Sequence, residues 1–156
     1  MIHVRSEQFG NYLEDFVVGD TYKHWPGRTI TESDNTNFCM LTMNHHPLHI
    51  DSLFASDTQF QQRVVVGTLV YSVVFGISVP DISGKAIANL TVDSLEHVAP
   101  VFIGDTLYGE SDIIDIRTSS TRKDRGIITV ETRGFNQNNE LVLRFKRKVM
   151  IPKKQS

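Results

Sequence analysis

The residues Gly67–Val79 carry no charged side chain, and Leu69, Val70, Val73, Val74 and Ile77 spread round the whole circumference of any helix they form. A helix that is apolar on every side is buried on every side. The β-branched residues also suit a strand, but the length favours a helix. Gly67, Ser72, Gly76 and Ser78 are small enough to let other backbone approach it closely. A chain of 156 residues holding such a helix must supply a layer to cover it, and the second half does so. Ala86–Val98, Thr106–Arg117, Gly126–Asn136 and Leu141–Pro152 each read as an extended strand. In the last, Leu141, Leu143, Phe145, Val149 and Ile151 alternate with Val142, Arg144, Lys146, Lys148 and Met150, and only Arg147 breaks the apolar row. Turn-rich breaks at Pro100–Asp105, Ser119–Arg125 and Asn136–Asn139 separate the strands and predict an antiparallel meander. The fold class expected is α+β: one domain over residues 1–156, with an antiparallel sheet curled round one long helix.

The first half predicts smaller elements. Thr31 followed by Asp34 resembles a capping box, with Phe38, Leu41 and Thr42 at helical spacing behind it. That helix should stop before His46, because Pro47 disfavours helical geometry in the residue before it. Asp51 is placed to cap a second short helix running through Phe60. A net charge of −2 argues against a nucleic-acid binder. The apolar stretch Val64–Val79, broken by Gly67, Thr68, Ser72, Gly76 and Ser78, is too short and too polar for a membrane span. The amino-terminal MIHVRSEQFGNYLEDF lacks the apolar core of a signal peptide. One cysteine, Cys39, forms no internal disulfide, so a reducing, cytoplasmic setting is expected. Arg144, Lys146, Arg147, Lys148, Lys153 and Lys154 read as a solvated strand face and tail.

The chemistry concentrates in Asn44-His45-His46-Pro47-Leu48-His49-Ile50-Asp51. The spacing does not suit a metal: His45 and His46 are adjacent and point differently, Pro47 prevents a regular helical ligand pair, and no Cys or second His cluster completes a shell. A polar loop of satisfied histidines is the plain reading. General acid–base chemistry is the sharper one, since histidine is the side chain whose ordinary pKa lies nearest neutrality. Asn44 can orient a water but cannot take its proton. Gly67 opens the apolar helix, where a free backbone N–H can hold an oxyanion and glycine permits close approach; a simple turn glycine is the alternative.

Several of these segments together resemble one family. Leu41-Thr42-Met43-Asn44-His45-His46-Pro47-Leu48-His49 is similar to the hydratase motif of MaoC-like dehydratases, Gly-Asp-x-Asn-Pro-aliphatic-His. Val66-Gly67-Thr68-Leu69 looks like the start of that family's central helix. Pro100-Val101-Phe102-Ile103-Gly104-Asp105-Thr106-Leu107 is similar to its Pro-Val-x-x-Gly-Asp-Thr-Leu sheet motif, and Asp15-Phe16-Val17-Val18-Gly19-Asp20 resembles its usual opening. The resemblance implies a hot-dog fold, a homodimer or higher homo-oligomer, and an acyl-CoA thioester bound near the subunit interface, with no cofactor beyond the CoA of the substrate. It implies addition of water to a 2-enoyl-CoA to give a 3-hydroxyacyl-CoA, or the reverse. The family's catalytic Asp and His fall on Asn44 and His49, and the glycine whose N–H steadies the thioester enolate falls on Gly67.

The chain departs from that pattern at three positions. Met43 stands where Gly is usual, Asn44 where the catalytic Asp is usual, and His46 where Asn is common. With the carboxylate gone, either His49 serves as both base and acid while Asn44 holds the water, or Asp51 or His46 supplies a second acceptor. Two other functions compete with a hydratase. A hot-dog thioesterase would want a carboxylate near the helix, and Val64–Val79 contains none; a non-catalytic acyl-CoA binder would need neither His49 nor Gly67. The Leu-Thr-Met-Asn lead resembles relatives compared with mesaconyl-CoA or methylmalyl-CoA (de)hydratases. Arg122, Lys123 and Arg125, which could meet CoA phosphates, read as ordinary turn residues.

Overall fold

The computed structural model describes residues 5–154; residues 1–4, within the stretch read above for leader character, and residues 155–156 lie outside it. After a single helical turn, α1 (Arg5–Gln8), and a 3-10 turn at Leu13–Asp15, the chain forms two short strands, β1 (Thr21–Lys23) and β2 (Arg28–Thr29). Neither had a sequence signal, being two or three residues long with largely exposed side chains. Helices α2 (Glu32–Thr42), α3 (Pro47–Ile50), α4 (Ser52–Ser56) and α5 (Gly67–Ser78) follow, and α5 ends in a π-helical turn at Val79–Ser83. Four long strands complete the chain: β3 (Ala88–His97), β4 (Thr106–Thr118), β5 (Arg125–Phe135) and β6 (Leu141–Pro152).

The strands lie in the order β1-β4-β5-β6-β3, every pair antiparallel, with β2 also on β4. The second half is therefore not a simple meander. β3 pairs with β6, not with β4, because the connection after β3 is a crossover and not a tight turn. It passes the amino-terminal end of α5, where Val65 donates to the Val101 carbonyl at 2.8 Å and Val64 bridges Phe102. β4, β5 and β6 form the continuous antiparallel ribbon that the turns at Ser119–Arg125 and Asn136–Asn139 predict.

Strict alternation builds the core. Every second residue of β5 is buried, and Leu143, Phe145, Val149 and Ile151 of β6 point the same way. Leu69, Val70 and Val74 of α5 pack on Leu107, Leu143 and Phe145. Leu13, Phe16 and Ile82 cover Ile113, Ile128, Val130 and Val149 beyond the helix end. Gly134 lets helix and sheet meet, since a side-chain carbon there would lie 2.6 Å from Val74 Cγ2.

Two features depart from the apolar pattern. α5 is not buried all round: Thr68, Ser72 and Gly76, one turn apart, form an exposed stripe on this chain. Arg147 does not interrupt the inward row of β6 but belongs to it, with no exposed surface. Its guanidinium sits 4.0 Å from the Phe75 ring centroid and donates to Ser78 Oγ at 2.9 Å and Asn89 Oδ1 at 3.2 Å. Its Nε has no partner among the described residues, and burial pulls the guanidinium pKa down to about 10. Four of the other basic residues of that stretch face outward against acids: Arg144 on Glu96, Lys146 on Glu131, Lys148 on Asp93 and Lys154 on Asp15.

Candidate active site

Thr31 and Asp34 close the start of α2 as a reciprocal capping box. Asp34 takes the Thr31 N–H at 2.8 Å, and these bonds hold its carboxyl below the usual carboxylate range. The buried face of α2 is Asn35 and Cys39, whereas Leu41, expected inside, is 82% exposed. Phe38, as expected, packs half-buried against the same core, and Asn35 takes an interior place for its amide. The helix ends at Met43 in the left-handed region (φ 59°), with the Met43 and Asn44 N–H groups closing onto its last carbonyls. That geometry explains the family's glycine at this position. Asn44 is thereby turned off the helix axis.

Pro47 then starts α3 where helical geometry is pre-set and no N–H is needed. His46 caps it, its Nδ1 accepting from Leu48 N–H at 3.1 Å. Asp51 caps α4 by accepting from Leu53 and Phe54, both at 3.0 Å. α4 stops at Ser56 rather than running to Phe60, because Thr58 bonds back to the Ala55 carbonyl through both N–H and hydroxyl. His46 and Asp51, the alternative proton acceptors, are thus occupied in capping, and neither lines the cavity described next.

A cavity of about 490 Å³ opens at the start of α5, and Asn44, His49 and Gly67 all line it. Valines dominate the rest of the wall, with Phe60, Thr68, His97, Ala99 and Pro100. The structure thus brings together the three sequence-predicted residues. The turn holding Arg122 and Lys123 lies beside Ile151 at the opposite end of the sheet. Among the described residues no three His, Cys, Asp or Glu side chains converge as a metal shell requires.

His49 is held from both sides. Its Nδ1 lies 2.8 Å from the Val64 carbonyl. A carbonyl only accepts, so Nδ1 carries the proton and Nε2 of the neutral ring is a lone-pair base. Its backbone carbonyl accepts from Asn35 Nδ2 at 2.9 Å, while Asn35 Oδ1 takes the Val66 N–H at 3.0 Å. One fully buried amide therefore ties the histidine to the residue that precedes α5. Gly67 and Thr68 come before any intrahelical acceptor, and Val66 offers no side-chain cap, so their N–H groups have no intrahelical partner at the end of α5 that lines the cavity. Among the described residues no carboxylate lines the cavity, and its titratable groups are His49 and His97. Cys39 is in the core, where burial pushes its thiol up and away from nucleophilic character. Sequence reasoning missed Asn35 and His97. Asn35 has no signal in an amphipathic pattern, and His97 ends a strand whose side chains are exposed from Asn89 onward.

Comparison with known proteins adds four findings. The model of the family described as mesaconyl-CoA hydratase matches residues 3–156. A β-methylmalyl-CoA dehydratase of Chloroflexus aurantiacus is 38% identical over 145 residues, 93% of this chain and 41% of that protein. The crystal structure of a MaoC domain dehydratase from the same organism superposes with a TM-score of 0.88 at 37% identity, over 94% of this chain and 41% of the other. A Mycobacterium tuberculosis protein described as a double hotdog fold superposes at 0.87 over 94% of this chain and 46% of its own, at 24% identity, and so speaks to the fold alone. The chain spans less than half the length of each of these relatives.

Proposed function

The chain belongs to the mesaconyl-CoA hydratase family of MaoC-like dehydratases and has their hot-dog fold, and on that premise we propose that it is a hydratase/dehydratase of acyl-CoA thioesters. The observation that carries the proposal is the fixed tautomer of His49: with Nδ1–H held by the Val64 carbonyl, Nε2 is a base in an apolar cavity beside the start of α5. In the hydration direction Asn44 holds a water, His49 Nε2 takes its proton, and the oxygen bonds to Cβ of the enoyl group. The C=C electron pair moves through Cα onto the thioester oxygen, which accepts from the Gly67 N–H at the positive end of α5. His49 then returns the proton to Cα, so H and OH have added across the double bond. A single base serving as acid and base replaces the Asp–His division of labour of the family motif.

For the acyl group, the names of the family and of the β-methylmalyl-CoA relative support a branched, dicarboxylic substrate of the mesaconyl type. For the assembly, a homodimer through β3 is the reading the chain's own surface supports. β3 is the sheet's edge, and Ile87, Leu90, Val92, Leu95 and Val98 expose 39–49% of their surface along it.

The test is an assay of purified protein with crotonyl-CoA and mesaconyl-CoA, following both the enoyl-thioester absorbance and free thiol. Loss of absorbance without thiol is the expected result. Thiol release identifies a thioesterase instead, and binding without either change identifies an acyl-CoA binder.

A further inference from the structure

His97 sits at the end of β3, directly over Gly67. A side-chain carbon built on Gly67 would lie 2.7 Å from His97 Cε1, 3.0 Å from Nδ1 and 3.1 Å from Nε2. The imidazole thus fills the space that any other residue at position 67 would need, which is a reason for glycine there apart from ligand approach. The other histidines with a structural task show it in their bonds: His24 is held by Asp81 and Ser111, His46 caps α3, and His49 is held by Val64. Among the described residues neither ring nitrogen of His97 has a hydrogen-bond partner. The ring lines the same cavity as Asn44 and His49, on a wall otherwise built of valine, alanine and proline.

Resting on the hydratase reading, we infer that His97 is a second donor to the substrate's thioester oxygen, completing with the Gly67 N–H a two-donor oxyanion site. A neutral imidazole carries one N–H, which suffices. The oxygen that accepts from the Gly67 N–H is placed beside a ring that already fills the side-chain space of the same residue. In the enolate that forms when water adds to Cβ, the negative charge rests on this oxygen. A donor aimed there strengthens its bond in the transition state and therefore acts on kcat more than on KM.

His97→Phe keeps the ring over Gly67 and removes the N–H. It should lower kcat about 10²–10³-fold on crotonyl-CoA and mesaconyl-CoA alike, with KM changed only a few-fold. His97→Gln, which restores a donor, should recover part of the loss. A readout independent of turnover is the infrared carbonyl stretch of bound butyryl-CoA. Binding to the native protein should lower its frequency, and His97→Phe should reverse part of that shift. If KM rises for mesaconyl-CoA alone while kcat on crotonyl-CoA holds, His97 recognises the second carboxylate and the inference is overturned. Unchanged kinetics and an unchanged stretch overturn it as well. If native protein hydrates neither thioester yet the carbonyl shift depends on His97, the donor stands and the hydratase reading fails.

Discussion

Replacing Asn35 by leucine tests how the site is held together. The two side chains are close in size, so the change removes hydrogen bonding with little change of volume. Asn35 has no exposed surface, and its amide serves the His49 carbonyl at 2.9 Å and the Val66 N–H at 3.0 Å. Leucine leaves both groups facing apolar atoms. A buried polar group stripped of its partner costs about 1–3 kcal/mol, so two cost about 2–6. The added apolar surface returns about 1–2 kcal/mol. The expected loss is about 3 kcal/mol, read as a lower midpoint in urea with an unchanged slope. The same substitution frees the backbone of His49 from the residue preceding α5, so kcat should fall more than KM rises. A loss under about 1 kcal/mol would refute the accounting: it would mean that the two backbone groups find other partners or water when the amide is gone.

Other expectations are simpler. His49→Ala should remove nearly all hydration activity without unfolding the protein, because His49 is the base; activity within a few-fold of native excludes the mechanism. Asn44→Ala should lower the rate by about 10²–10³-fold without abolishing it, and Asn44→Asp, which restores the family's carboxylate, should preserve or raise it; a folded Asn44→Asp protein that binds acyl-CoA but is inactive shows a site rebuilt around the amide. Met43→Gly should stabilise the fold by up to about 1 kcal/mol, since a left-handed non-glycine residue costs about 1–2 kcal/mol and glycine's extra chain entropy takes back about 0.5–1; calorimetry should show a higher Tm. Asp34→Asn should cost about 1 kcal/mol at neutral pH by breaking the capping box. Because the folded carboxyl is held below its ordinary value, that contribution is whole above pH ~4 and is lost as pH falls through the folded value; denaturation midpoints of native and variant should converge in acid.

What the sequence made legible was local. The capping box at Thr31, the start of α5 at Gly67 and the β4–β5–β6 ribbon all rest on spacing within a dozen residues. The convergence of Asn44, His49 and Gly67 was legible only through the order of the family's motifs. What was hidden is non-local. The crossover that sends β3 to β6 is decided by Val65 and Val101 meeting at the end of α5. Arg147 looks like a surface residue until Phe75, Ser78 and Asn89 surround it. Asn35 is a polar residue in a polar stretch, and its burial follows from two backbone groups, one of them far along the chain. His97 carries no motif; its place is set by the register of β3 against β6, which puts it opposite Leu143.

That register also sets a timetable. Ala88 pairs with Met150 and His97 with Leu143, so β3 has no neighbour until residues 141–152 have been made. Up to then β3 stays unpaired, a state in which chains tend to associate wrongly. Contacts this distant in sequence slow the search for the native topology. Any cut that removes β6 leaves β3 without a mate and His97 without a position, so the strand that supplies Val142 to the cavity wall also fixes the wall that β3 supplies.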